Sequence, residues 1–102
     1  MARFFPLIWT DPAIDDLDEI AAWIALERPR AAEKLVTRVF ARVERLTLFP
    51  ESGRRVPELP RETIYREVVV PPCRVFYRME GRSVLIVHVR RSERELDPDR
   101  LP

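Results

Sequence analysis

The chain has 102 residues, a length that fits one domain and leaves too little apolar material to fill a second core. Its single cysteine, Cys73, excludes an internal disulfide and fits a reducing compartment. No apolar run approaches the ~20 residues of a membrane helix, and no export signal is visible. We therefore expect a cytoplasmic protein with no membrane contact.

The net charge of +1 conceals an uneven distribution along the chain. Residues 1–27 contain one arginine and six acidic residues, whereas residues 28–91 contain fourteen arginines and one lysine against seven glutamates. This layout indicates a polarised charge distribution rather than the uniformly basic surface typical of nucleic-acid binding. The preference for arginine over lysine suits bidentate recognition of carboxylate or phosphate, although a GC-rich coding bias produces the same ratio.

The first predicted elements are a strand and a helix. Phe4–Trp9 forms a short strand, which Pro6 confines to a sheet edge or a bent entry. The sequence Thr10-Asp11-Pro12 predicts the start of a helix over residues 11–27, with Asp11 as its cap. An apolar stripe at helical spacing gives this helix one buried face, and its acidic residues are expected on a solvated face. Those acidic residues are Asp15, Asp16, Asp18 and Glu19.

A second helix is predicted over residues 29–48. Pro29 begins it, and apolar residues spaced three and four apart run from Ala32 to Leu46. Pro50 ends it, because a residue before proline disfavours helical geometry. The tight connection predicts an antiparallel pair of helices. The aromatic side chains of these elements, Trp9, Trp23 and Phe40, are expected in the core.

The remainder of the chain predicts a loop followed by three strands and a short tail. The loop spans residues 50–62 and is rich in turn-forming residues, and the tail spans residues 92–102. The strands cover residues 64–70, 74–79 and 84–91, and their short connections favour antiparallel hairpins. The expected fold class is α+β: an N-terminal strand, an antiparallel two-helix hairpin on one sheet face, then three antiparallel strands in a single domain.

Alternation along the last two strands places several cationic side chains on one sheet face. Arg74, Phe76 and Arg78 fall opposite Val75, Tyr77 and Met79, and Val84, Ile86, His88 and Arg90 fall opposite Leu85, Val87 and Val89. If the helices cover the other face, this one is left open to an anionic or carboxylate-rich partner. The arginines can alternatively be ordinary edge residues paired with Glu67, Glu80 or Glu93. The candidate binding residues are Arg66, Arg74, Arg78, His88, Arg90 and Arg91.

Common catalytic and cofactor sites are difficult to build from this sequence. His88 is the only histidine and Cys73 the only cysteine, so a histidine-based metal cluster is excluded. The only glycines, Gly53 and Gly81, form no phosphate-binding loop. We expect neither a metal nor a cofactor. His88 is either a structural histidine or a general acid or base acting on a phosphodiester.

Several short motifs, weak singly, resemble in their order and spacing those of the RelE/ParE superfamily of toxins. They begin with Trp9-Thr10, Asp16-Leu17 and the helix start at Pro29, and continue with Pro50 and Gly53-Arg54. They end with Tyr65-Arg66-Glu67, with Arg74 to Arg78, and with Val87 to Arg91. The resemblance implies a toxin of a type II toxin–antitoxin system, neutralised in a hetero-oligomeric complex by an antitoxin whose C-terminal segment wraps it. A ribbon-helix-helix antitoxin similar to ParD is the expected partner.

Two biochemical activities are known in this superfamily. RelE-like members cut messenger RNA on the ribosome, and for them the matching set here is Arg74, His88 and Arg91. The first of the three strands offers Glu67 where that activity uses basic residues, and an acid there repels a scissile phosphate. ParE-like members inhibit DNA gyrase, and the motifs at Tyr65 and His88 resemble theirs more closely. We therefore expect a gyrase inhibitor without catalytic residues, with the nuclease and an inactive toxin-like binding module as alternatives.

Overall fold

The computed structural model describes residues 4–93 and 96–102, so Arg94 and Glu95 of the predicted tail lie outside the described residues. Two α-helices and a five-stranded sheet make an α+β fold, which confirms the predicted class. The elements are β1 (Leu7–Trp9), α1 (Asp11–Ala25), α2 (Pro29–Glu44), β2 (Arg54–Arg55), β3 (Arg66–Val70), β4 (Cys73–Glu80) and β5 (Ser83–Arg91). None of the helices in the described part is long and apolar enough to cross a membrane.

The sheet has the strand order β1-β5-β4-β3-β2. β1 pairs with β5 in parallel, whereas the other neighbours are antiparallel. A parallel pair needs a long connection, and here the two helices and three further strands supply it. The predicted first strand begins at Leu7 rather than Phe4. The short strand β2 lies inside the segment 50–62 that was predicted as loop.

The helices begin and end slightly differently from the prediction. Thr10, not Asp11, caps α1: its Oγ1 accepts from the backbone N–H of Ala13 and donates to the carbonyl of Ile86 at 2.8 Å. The cap therefore also joins α1 to β5. The second helix ends at Glu44 and continues as a short 3-10 turn over Arg45–Thr47.

The main core lies between the helices and one face of the sheet. Leu17, Leu35 and Val39 of the helices pack against Val75 and Ile86, and all five are at most 3% exposed. The expectation of core aromatic residues holds in part. Trp9 packs on this core, but Trp23 is 61% exposed and Phe40 46% exposed. Phe40 packs against the ring of Trp9, with centroids 5.0 Å apart, and the guanidinium of Arg91 lies over the ring of Trp23.

The opposite face of the sheet is covered as well. Phe76, Leu85 and Val87 form a second core with Val56 from the loop and Leu96 from the tail. Leu59, Tyr65 and Leu101 pack around it. The expectation of an open face was therefore wrong. The covering segments, a loop and a tail, have no apolar periodicity that would predict this contact.

A bulge changes which side chains of β5 share a face. Phe76 pairs with His88 and Tyr77 pairs with Ile86, so Val87 is an additional residue in β5. His88 and Arg90 consequently lie on the face of Phe76 and Arg74, while Val89 joins the main core. The alternation predicted for β5 therefore breaks at Val87: His88 and Arg90 lie on the face of Arg74 as expected, whereas Val84 and Ile86 lie in the main core. An inserted residue inverts the pattern on one side of it relative to the other.

Candidate partner-binding surfaces

Arg74 is one of the six candidate binding residues, and the structure buries it. The residue is 6% exposed and makes a bidentate contact with Glu58, with nitrogen–oxygen distances of 2.6 and 2.7 Å. Its Nε and Nη2 also donate to Oε1 of Glu67, at 2.9 and 2.6 Å. The Arg74–Glu67 pairing is one of the pairings considered from the sequence. Arg74 is therefore not available on an open surface.

Two further groups complete the ion-pair network around Arg74. Arg54 donates from Nε to the second oxygen of Glu67, whose side chain is fully buried. The backbone N–H of Leu96 donates to Glu58 at 2.8 Å. The hydrogen bond from Arg74 is the main reason that the pKa of Glu58 is lowered to about 2. The same carboxylates raise the pKa of Arg74. The network joins the loop and the tail to the sheet.

The remaining predicted arginines lie nearer the surface. Arg78 lies 3.5 Å from Glu80, and Arg91 lies 2.7 Å from Glu93, which are pairings that the sequence suggested. Arg66 donates to the carbonyl of Gly53 at 3.0 Å. Arg90 is half-buried, and its Nε has no hydrogen-bond partner among the described residues. These four arginines do not converge on one site.

His88 is held by an acidic residue that the sequence placed on a solvated face. Its Nδ1 lies 2.6 Å from Oδ2 of Asp16, and the same oxygen accepts from the N–H of Val89 at 3.1 Å. The ring is 6% exposed and stacks on Phe76 with centroids 5.6 Å apart. Nε2 has no hydrogen-bond partner within residues 4–93 and 96–102. The sequence contained no signal for the Asp16 contact, because it depends on how α1 crosses β5.

A groove between the two helices and the end of β5 combines apolar and basic groups. Its volume is about 530 Å³. Trp23 lies at its wall with the guanidinium of Arg91 over the indole at 4.5 Å, and Leu26 beside it is 81% exposed. The charged residues lining the groove are Glu27, Arg28, Lys34, Arg38 and Arg91. We call this the hairpin groove. Its chemistry suits an amphipathic segment that carries acidic residues.

Metal and nucleotide chemistry find little support in the described residues. No group of three or more His, Cys, Asp or Glu side chains is arranged there to hold a metal ion. Burial raises the pKa of the Cys73 thiol to about 11, which disfavours a reactive thiolate.

Comparisons with known proteins give the family. A sequence model described as "ParE toxin of type II toxin-antitoxin system, parDE" matches residues 7–96. The chain belongs to this family, and the resemblance stated from its sequence is confirmed. It is thus a toxin of a type II toxin–antitoxin system, within the RelE/ParE group.

Two relatives and two solved structures show the breadth of the similarity. "Toxin RelE2" of Caulobacter vibrioides is 33% identical over 86% of this chain and 96% of its own length. "Putative toxin Y4kP" of Sinorhizobium fredii is 34% identical over 78% of this chain and 85% of its own length. A chain of the chromosomal ParDE system from P. aeruginosa matches with a TM-score of 0.73 and 25% identity, over 86% of this chain and 96% of that one.

The second structure shares the fold alone. It belongs to the toxin–antitoxin complex RelBE2 of Mycobacterium tuberculosis, with a TM-score of 0.56 and 20% identity. The match covers 87% of this chain and 92% of that one.

Proposed function

We propose that this toxin acts as a ParE-type inhibitor of DNA gyrase, by protein–protein contact, and that a ribbon-helix-helix antitoxin neutralises it. The main observation in support is that the sheet face holding Phe76 is covered. Val56 and Leu96 cover Phe76, and both carboxylates of the network occupy Arg74. A ParE family match over residues 7–96 supports the same assignment.

The closed face argues against phosphodiester cleavage at this position. Cleavage needs cationic and proton-transferring groups within hydrogen-bond reach of a phosphate. Glu67 is fully buried beside Arg74, and Glu58 covers the other side of the same guanidinium. A phosphate entering here would displace two carboxylates and meet their negative charge.

The antitoxin half of the proposal rests on the hairpin groove. Four basic residues line it against the single acid Glu27, and the exposed Trp23 and Leu26 offer apolar contact. An acidic amphipathic segment satisfies both features. Arg91 belongs to this surface, whereas Arg66, Arg78 and Arg90 remain candidates for contacts with the target.

Purified gyrase with relaxed plasmid tests the target. We expect loss of supercoiling and a trapped cleavage complex in the presence of the toxin. A double variant, Arg78→Ala with Arg90→Ala, is expected to weaken inhibition, while Arg30→Ala, in the first turn of α2, serves as the matched control. Unaltered supercoiling at high toxin concentration would exclude gyrase as the target.

Ribosome-dependent cleavage of messenger RNA is the second candidate, and one contact favours it. Asp16 holds Nδ1 of His88, an arrangement that leaves Nε2 to act as a base. The relative named as a RelE toxin is consistent with this candidate. Primer extension on transcripts after induction would reveal cuts. Cuts that vanish in His88→Ala but persist in Glu80→Ala would establish the nuclease and displace the gyrase proposal.

A further inference from the structure

A row of basic side chains runs along one side of the second helix. Lys34, Arg38 and Arg42 belong to α2, and Arg45 begins the 3-10 turn that continues it. They are four, four and three residues apart in the sequence, so they lie one above another on the same side of the helix. All four are exposed, and no carboxylate of residues 4–93 and 96–102 forms an ion pair with any of them. The row therefore carries positive charge that the fold does not neutralise.

The row continues onto the edge of the sheet. Arg42 and Arg45 line a cleft of about 360 Å³ whose lining includes the first residue of β2. The second residue of β2, Arg55, is exposed and lies directly opposite Arg66 of β3. Arg66 in turn lies opposite Tyr77 of the main core, so Arg55 and Arg66 are on the sheet face that the helices cover. We call the continuous set the basic stripe, and its members are Lys34, Arg38, Arg42, Arg45 and Arg55.

The basic stripe places like charges beside one another. Cations four residues apart on a helix repel each other, and so do cations directly opposite on two strands. In the described part of the chain neither Arg55 nor Arg66 has an ion-pair partner, and Arg66 donates to the carbonyl of Gly53. The acids of α2, Glu33 and Glu44, lie about 100° around the helix from the stripe residues that follow them. The fold thus keeps a repulsion that a polyanion bound to this surface would relieve.

The length and the donor chemistry of the basic stripe match a phosphate backbone. Between Lys34 and Arg45 the helix rises by about 16 Å. One strand of duplex DNA carries about five phosphates over that distance. Every member of the stripe except Lys34 is an arginine, whose guanidinium can donate to two phosphate oxygens at once. The stripe can therefore meet consecutive phosphates of one strand.

The surroundings of the stripe favour a duplex over a single strand. Surfaces for single-stranded nucleic acid combine cations with aromatic side chains on which the bases stack. Among the described residues, no aromatic side chain lines the cleft at Arg42 and Arg45 or the neighbouring one at Lys34 and Arg38. Contacts to phosphates alone carry no sequence information. The stripe is therefore suited to a duplex backbone of any sequence.

We propose that the basic stripe binds the phosphate backbone of duplex DNA, without sequence preference, so that the toxin contacts DNA as well as protein. That this DNA is the segment on which gyrase acts rests on the proposed function. The affinity of the stripe for duplex DNA does not depend on that assignment, because the unpaired cations and their spacing belong to the toxin alone.

Fluorescence anisotropy of a labelled duplex of about 20 base pairs, titrated with the purified full chain, tests the stripe directly. We expect a Kd of about 1–100 µM near physiological salt, the range of non-specific DNA binding. Five phosphate contacts predict a slope of about −4.5 for the logarithm of affinity against the logarithm of salt concentration. An unlabelled duplex of different sequence should compete equally well.

Two double variants remove equal charge from different places. Arg42→Gln with Arg45→Gln should weaken binding about tenfold or more and reduce the slope to about −2.7. Arg61→Gln with Arg100→Gln, in the loop and the tail, should leave the slope unchanged. Arg55→Gln alone should reduce the slope by about 1. All five arginines are exposed and without ion pairs among the described residues, so each variant should fold, as circular dichroism would show.

Four results would each overturn the proposal. The first is no change in anisotropy at about 100 µM toxin in low salt, and the second is an equal slope for the two double variants. The third is tighter binding of single-stranded RNA of the same length, which would point to the nuclease candidate. The fourth is equal competition by polyglutamate of the same charge, which would point to a protein partner. The assay contains no gyrase, so a failed supercoiling assay would refute the target and leave the DNA surface standing.

Discussion

At the scale of single residues, the central feature is Arg74, whose surroundings convert a candidate binding cation into a structural one. Its guanidinium pairs with Glu58 and Glu67 at once, and the latter, which also pairs with Arg54, is fully buried. A buried ion pair is costly to assemble but more costly to break, because the remaining partner keeps a charge away from water. Removing Arg74 should therefore harm the fold before any partner is considered.

We expect Arg74→Ala to destabilise the protein by about 3 kcal/mol, because it leaves Glu58 unpaired and Glu67 with Arg54 alone. Urea unfolding followed by circular dichroism measures the loss. Arg78→Ala, which breaks only the more exposed pair with Glu80, is the control and should change stability by less than about 0.5 kcal/mol. Equal effects of the two substitutions would contradict the structural role of Arg74.

Glu58 makes the fold sensitive to acid. Its pKa falls from 4.5 to about 2, so its ion pair stabilises the folded state fully only above its unfolded pKa. Stability should decline as the pH falls from about 4.5 to about 2. Glu58→Gln should lower stability near neutral pH and flatten that decline, whereas the exposed Glu62→Gln should leave it unchanged. Thermal unfolding across this pH range provides the measurement.

At the scale of elements, hydrogen bonds join α1 to the part of β5 that lies beyond its pairing with β1. β1 ends at Trp9, opposite Ile86, and Asp16 then supplies the acceptor for the N–H of Val89. The bulge at Val87 brings His88 to the same carboxylate. One side chain of the helix thus satisfies the polar groups left by the end of a strand.

We expect Asp16→Ala to cost about 1–3 kcal/mol, because two buried donors lose their acceptor. Asp15→Ala, one residue earlier on the exposed side of α1, is the matched control and should be nearly neutral. Denaturant titration of both variants supplies the comparison. If Asp16→Ala left the free energy of unfolding unchanged, water would be replacing the carboxylate without loss. The contact between α1 and β5 would then contribute nothing to stability.

At the scale of the whole molecule, the tail and the loop act as one cover over the second core. Leu96 is 5% exposed, and its N–H bonds Glu58, so apolar burial and the ion-pair network depend on each other. The cover therefore closes this face of the sheet. Loss of the cover should expose Phe76 and Val87.

Leu96→Ala should destabilise the chain by about 2–4 kcal/mol, the usual cost of removing a large buried aliphatic side chain. It should also increase binding of a dye that reports exposed apolar surface. Leu26→Ala, on a side chain that is 81% exposed, is the control and should leave both measurements nearly unchanged. Unchanged dye binding in Leu96→Ala would indicate that the tail does not cover the second core.

The helices, the last three strands and the family were accessible from the sequence because local patterns encode them. Apolar residues three and four apart favour a helix with one buried side, and the run of β-branched residues from Val68 to Val70 favours a strand. Pairing of the arginines with Glu67, Glu80 or Glu93 was the alternative to a binding role, and the structure shows it for Arg74, Arg78 and Arg91. The family was accessible because its motifs keep their order and spacing along the chain, and the ParE family match confirms it.

Tertiary structure alone decided which surfaces are free. Alternation separates the two faces of a strand but does not say what covers them, so nothing in the loop or the tail marked Val56 and Leu96 as cover for the sheet. One inserted residue at Val87 inverted the remainder of β5, and no local pattern records an insertion that depends on the neighbouring strand. The Asp16–His88 contact arises from packing between distant segments, where sequence distance carries no information.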